Sequence, residues 1–375
     1  MYEMKGIRYA EGLFKFLLAT AIAWLGCIAL VSCDQGDTGA ENTEAHITLT
    51  LCMKGTDTDN NTRIGQSGGK QIASRGEEDE PKDPGTEMEN SIDFSRFHVV
   101  FYDANHRMAG ILQNMVLIHE GGSIYRLTGS LPVSNKVLVG NHFEGKMVVY
   151  ANFDMTSDDL KKGYNDEIIA QKAFDYEANP KYLPMWGVKK VAFTLAAGKR
   201  QDFSDIDLLR AVAKVKVNLS SKMKSDGWSI YGMQLFNYND KGYCMPKKYA
   251  ECEQTASLTH EDLENFYDSK QTGGITMTEN VPIYLPEYQN TEKKEADRCV
   301  IKLKLKLNGK VENNEKEYTL RFIDYTDSGA EGTTVNDIVR DHYYTFEVYK
   351  GSNGKNLVKL TVRKWKVREH EEIVM

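Results

Sequence analysis

Cys33 is the residue whose neighbours most clearly imply a chemical step. It follows Leu30, Val31 and Ser32 at the end of an uncharged run, Phe16 to Val31, and Lys5, Arg8 and Lys15 precede that run. A basic head, a short apolar stretch and a small residue before a cysteine make up a secretory signal whose cleavage site is a lipobox. The chemistry is acylation of the Cys33 sulfur and a cut just before it. The sixteen-residue run is short of the roughly 20 residues that span a bilayer as a helix. Several acyl chains, at about 0.8 kcal/mol per buried CH₂, make the attachment effectively permanent. Residues 1–32 are therefore read as a signal peptide, and the rest as a bacterial lipoprotein at the outer membrane and cell surface.

Other reactive groups form no constellation. The eight histidines are scattered, with neither a His-x₃-His pair nor a His-Glu-x-x-His motif. No glycine-rich phosphate loop occurs. Asp57-x-Asp59-x-Asn61 begins like a calcium loop, but Thr62 stands where glycine is needed and Gly68 where the bidentate glutamate belongs. Acidic pairs such as Asp158-Asp159 and Glu371-Glu372 read as solvated charge. No catalytic, cofactor-binding or metal-binding residue is assigned, and no enzyme is expected. Cys52, Cys244, Cys252 and Cys299 are too few for a disulfide scaffold in so long a chain. A pairing of Cys244 with Cys252 and free buried thiols both remain open.

The elements that carry these residues are mostly strands. The formal charge is −7, and removing residues 1–32, with three basic and two acidic side chains, takes it to about −8. A mildly acidic chain without a basic stripe argues against nucleic acid as a partner. Residues 34–44 are a polar tether. In Ala45–Met53, Ile47, Leu49, Leu51 and Met53 alternate with His46, Thr48, Thr50 and Cys52, the period of a strand with one buried face. Residues 54–90 carry Gly65-Gln66-Ser67-Gly68-Gly69, an acidic run at 77–80 and two prolines, a composition that cannot offset chain entropy and reads as mobile and exposed. Strand patterns resume at 97–102, 147–153 and 191–195. They are clearest at 211–219 and 300–307, where lysines line the outer face, and continue at 343–349 and 357–367. Short helices are expected near 156–159, 165–173, 259–266 and 333–339. The fold class is all-β with a few short helices, arranged as two tandem β-sandwich domains. The expected divisions are 33–90 for tether, first strand and linker, 91–205 for the N-terminal domain and 206–375 for the C-terminal domain.

In order and spacing, the strand ending in a turn (FHVVFYDAN, 97–105), Ala151-Asn152, Leu183-Pro184-Met185-Trp186-Gly187, Arg210–Val215, Ile283–Glu287, Arg340–Tyr344 and Trp365 resemble the fimbrillins of Bacteroidales, subunits of the type V pilus. Asp341 departs from the asparagine usual in that family after the arginine. The resemblance implies transthyretin-like sandwich domains and assembly by strand exchange. In that scheme an arginine-specific protease cuts the linker, the first strand leaves, and the C-terminal strand of another fimbrial subunit fills its groove.

Mapped onto this sequence, Ile47, Leu49, Leu51 and Met53 belong to the displaceable strand. The cut would follow Arg75, with Arg63 as the alternative. The tail after Trp365 is charged and alternates poorly, so stalk, tip and anchor roles all stay open; an anchor would keep its lipid and first strand. The expected function is that of a fimbrial structural subunit supporting adhesion. The rival is a surface lipoprotein that binds glycan or host protein, with Tyr182, Trp186, Trp228 and Tyr231 as an aromatic platform.

Overall fold

The computed structural model describes residues 43–53, 86–121, 123–311, 316–326, 329–351 and 354–365. The described residues belong to one compact unit built from two pairs of facing sheets. In the first pair, one sheet has the order β10 (Ile206–Asp207), β1 (Glu44–Cys52), β5 (Ile124–Pro132) and β4 (Gln113–Gly121), with β9 (Arg200–Asp202) also on β1. Its partner runs β11 (Leu209–Arg210), β8 (Met185–Thr194), β6 (His142–Ala151), β2 (Phe97–Asp103) and β3 (Met108–Ile111).

In the second pair, β18 (Ile283–Leu285), β12 (Ala213–Leu219), β24 (His342–Lys350) and β25 (Asn356–Lys364) form one sheet. Opposite it lie β17 (Ile275–Thr276), β13 (Trp228–Phe236), β19 (Val300–Leu307) and β20 (Lys310–Val311), with β21 (Glu317–Arg321) also on β19. Three ribbons complete the strands: β14 (Tyr238–Asn239) with β16 (Lys270–Gln271), β7 (Ala173–Asp175) with β15 (Lys241–Tyr243), and β22 (Ile323–Tyr325) with β23 (Glu331–Val335). Asn308-Gly309 joins β19 to β20 with φ of 48° and 78°, the left-handed pair that a tight hairpin requires.

Alternation decides what each sheet buries. One core takes Ile47, Leu49 and Leu51 from β1, Leu127 and Leu131 from β5, and Val99, Phe101, Met147 and Val149 from the facing sheet. The other takes Val215, Val217, Tyr344 and Phe346 against Leu235, Ile301, Leu303 and Leu305. Residues 147–151 are continuously apolar for a physical reason: Val148 and Tyr150, with Phe153 beyond them, belong to a third core, packed with Trp186, Cys244, Met245, Cys252 and Leu263. The segment around 244–263 thus covers the outer face of an N-terminal sheet, and the β7–β15 ribbon ties the same two regions together.

Several sequence expectations are corrected. Residues 157–160 form turns, and residues 331–335 form β23 where a helix was expected. Residues 165–173 contain only α2 (Glu167–Ala170), and 259–266 only α4 (His260–Leu263); α3 is Ser221–Ser225. Within the stretch expected to be mobile, α1 (Glu87–Asn90) is folded and buries Glu89 and Asn90; residues 54–85 lie outside the described residues. Pairing of β10 with β1 and β11 with β8 keeps residues 206–210 with the first pair of sheets, so the chain passes to the second pair after Arg210 rather than near Asp205.

Candidate functional site: the slot of the first strand

β1 is an interior strand. It pairs antiparallel with β5 over its whole length, from Glu44 opposite Pro132 to Cys52 opposite Ile124. On its other side it meets β9 and β10 in parallel. That side is hydrogen-bonded at intervals: His46 N donates to the Lys199 carbonyl at 2.8 Å, Phe203 N to Thr48 O at 2.8 Å and Leu208 N to Cys52 O at 2.7 Å. Ile47, Leu49, Leu51 and Met53 are each no more than 1% exposed. They share one core with Phe101, Phe143 and Phe193, which meet one another edge-on or tilted at 5.3–6.2 Å between ring centres. Burying each aliphatic side chain stabilises by roughly 1.5–3 kcal/mol. Cys52 lies on the alternate face but is also buried, at 2% exposure.

The chain re-enters the described structure at Thr86, and there it is firmly held. Thr86 and Glu89 cap α1 reciprocally, Thr86 N donating to Glu89 Oε2 at 2.9 Å. Glu89 Oε1 lies 2.8 Å from Lys214 Nζ and also accepts the Tyr284 hydroxyl. Arg210 donates through Nε to Glu89 O at 3.0 Å and through Nη2 to Asn90 Oδ1 at 2.6 Å. Its guanidinium stacks over Trp365, 4.6 Å from the ring centre. The Tyr125 hydroxyl of β5 donates to Asn90 O. Asn152, with φ of 59°, uses its side chain to accept from Asp93 N and to donate to Ser91 O and Leu183 O.

Residues 71–371 match the family described as "Fimbrillin-A associated anchor proteins Mfa1 and Mfa2". The chain belongs to this family. The Bacteroidales fimbrillin resemblance read from the sequence is thereby borne out. β1 lies outside the matched residues. A putative cell adhesion protein from Parabacteroides distasonis shares the fold at 13% identity and a TM-score of 0.51, covering 87% of this chain and 99% of that one. The tip fimbrial protein Mfa3 from Porphyromonas gingivalis is similar at 13% identity and a TM-score of 0.49, covering 86% of this chain and 100% of that one. No curated protein sequence matches.

In this fimbrial chain the remaining candidates fall as follows. Cys33, Arg63 and Arg75 lie outside the described residues, as does the tail after Trp365. Cys244, Cys252 and Cys299 are buried free thiols, and Cys52 is buried as well. Burial pushes the Cys244 thiol up to about 12 and the Cys252 thiol up to about 11, so neither is a reactive thiolate at neutral pH. Trp186 is 1% exposed and belongs to the third core, so it offers no platform. Tyr182 is partly buried, with Lys181 5.1 Å from its ring centre, and Trp228 carries Lys350 at 4.1 Å.

The sequence reading passes over Glu89, Lys214 and the Arg210 contacts to α1. The signal that could have found them is Thr86-x-x-Glu89, a capping box hidden at the end of a polar stretch.

Proposed function

We propose that this chain is a structural subunit of a cell-surface fimbria, exported as a lipoprotein through Cys33 and assembled by donor-strand exchange after a cut at Arg75. The observation that carries the reading is β1, an interior strand with a fully buried apolar face, joined to the rest of the chain through a polar stretch that holds both candidate arginines. Removing it opens a slot with hydrogen-bonding strands on both sides and an apolar floor, suited to another extended segment. α1 supports the same reading from the other end of the linker. Its ion pair and caps hold Glu89 and Asn90 independently of β1, so a cut at Arg75 frees one side of the linker and leaves the other fixed. Partners on this reading are other fimbrial subunits, the outer membrane before processing and an arginine-specific protease.

The test is to treat purified precursor with an arginine-specific protease and run it unboiled on a denaturing gel. A ladder of multimers is expected; cut protein that stays monomeric contradicts the switch.

The word "anchor" in the description of the matching family favours a second reading, a subunit that keeps both its lipid and β1 at the base of a filament. On that reading the chain is recovered from cells uncut and does not polymerise through this slot.

A further inference from the structure

The far edge of the same sheet has a character of its own. β4 pairs with β5 on one side and, among the described residues, with no strand on the other. It is nine residues long, QNMVLIHEG, without lysine, arginine or proline. β25, an equally long edge strand, carries Lys359 and Arg363, the kind of charge that discourages edge pairing. β4 instead presents Val116 and Ile118 outward at 54% and 52% exposure. On its inner face Met115 and Leu117 are only partly buried against the core. Register shifts between Gln113 and Val116 and between His119 and Gly121 bracket a regular stretch, Val116–His119.

We propose that β4 is a homotypic docking edge, to which a second copy of this chain adds its own β4 antiparallel. The choice of occupant follows from self-complementarity. A two-fold axis normal to the sheet through Leu117 sets Leu117 against Leu117 of the second copy, and Val116 against its Ile118. Met115 then faces His119, and Asn114 faces Glu120, with no like charges opposed. Sliding by two residues either way sets Ile118 against Asn114 or Val116 against Glu120, and sliding by one mismatches the faces. The polar ends are already engaged within the chain: Asn114 donates to Glu44 and Ser130, and Glu120 pairs with Arg126 at 2.6 Å. Only the apolar centre is left to be matched. One strand pair buries less than the roughly 1,000 Å² of a stable complex, so the contact is weak alone and strengthens where copies are arrayed. β5 separates β4 from β1, so the inference stands without strand exchange.

Opposed residues of an antiparallel pair lie within disulfide reach. The full-length V116C/I118C protein, oxidised with copper phenanthroline, is expected to give a disulfide-linked species of twice the chain mass, absent from wild type and from V116C alone. Monomer only, a linked band of another mass, or equal cross-linking by V116C alone would each overturn the proposal. I118K, on an exposed position, keeps the far-UV spectrum and weakens self-association in sedimentation equilibrium by at least about tenfold. Association unaffected by I118K overturns the proposal as well.

Discussion

Glu89 and Lys214 are ion-paired at 2.8 Å with side chains 0% and 3% exposed, joining the first folded turn after the linker to strand β12. Breaking a buried pair leaves a charge without its partner, which costs about 3–5 kcal/mol. Lys214→Met is expected to lose that much in urea unfolding. The double variant Glu89→Gln with Lys214→Met is expected to recover most of it. Equal losses in the single and double variants would show that packing over Trp365, not the ion pair, holds α1.

Leu49 and Thr50 are neighbours on β1 with opposite environments: Leu49 is 1% exposed, and Thr50 is on the alternate face. Leu49→Ala is expected to destabilise the precursor by about 2–5 kcal/mol. Thr50→Ala stays within about 0.5 kcal/mol. Chemical denaturation of the two variants checks the inward register directly.

Asp341 has φ of 54°, a left-handed backbone that asparagine and aspartate tolerate best. Its carboxylate lies 3.6 Å from Arg210 Nη1. Both substitutions remove the charge, but asparagine tolerates this backbone and keeps an acceptor toward Arg210, and valine does neither. Asp341→Val is expected to be less stable than Asp341→Asn by about 1–3 kcal/mol in thermal or urea unfolding. Equal stability would mean that the left-handed conformation is not retained.

The linker arginines separate by substitution. With an arginine-specific protease, Arg75→Ala is expected to slow release of the fragment beginning at Gly76, and Arg63→Ala to leave it unchanged. Intact mass spectrometry of the digest reads both. Rapid release from Arg75→Ala of a fragment beginning at Ile64 would place the site at Arg63.

Much of the fold is legible because alternation is a direct record of burial. Ile47, Leu49, Leu51 and Met53, and likewise Ile301, Leu303 and Leu305, announce strands whose inner faces the structure buries. The landmark segments are legible as motifs but not as contacts. Arg340 and Glu287, 53 positions apart in the sequence, meet as a buried pair at 2.7 Å, and Asn152 ties Leu183 to Ser91. Such long-range polar partnerships leave no local period. α1 was lost in the linker because composition averages over windows, and a four-residue helix secured by Lys214, Arg210 and Tyr284 owes its stability to residues more than a hundred positions away.

The most direct measurement of the central claim is the mass of the mature N-terminus of protein recovered from cells. Strand exchange predicts a chain that starts at Gly76, without lipid and without β1. A chain that starts at acylated Cys33 and retains β1 would contradict it.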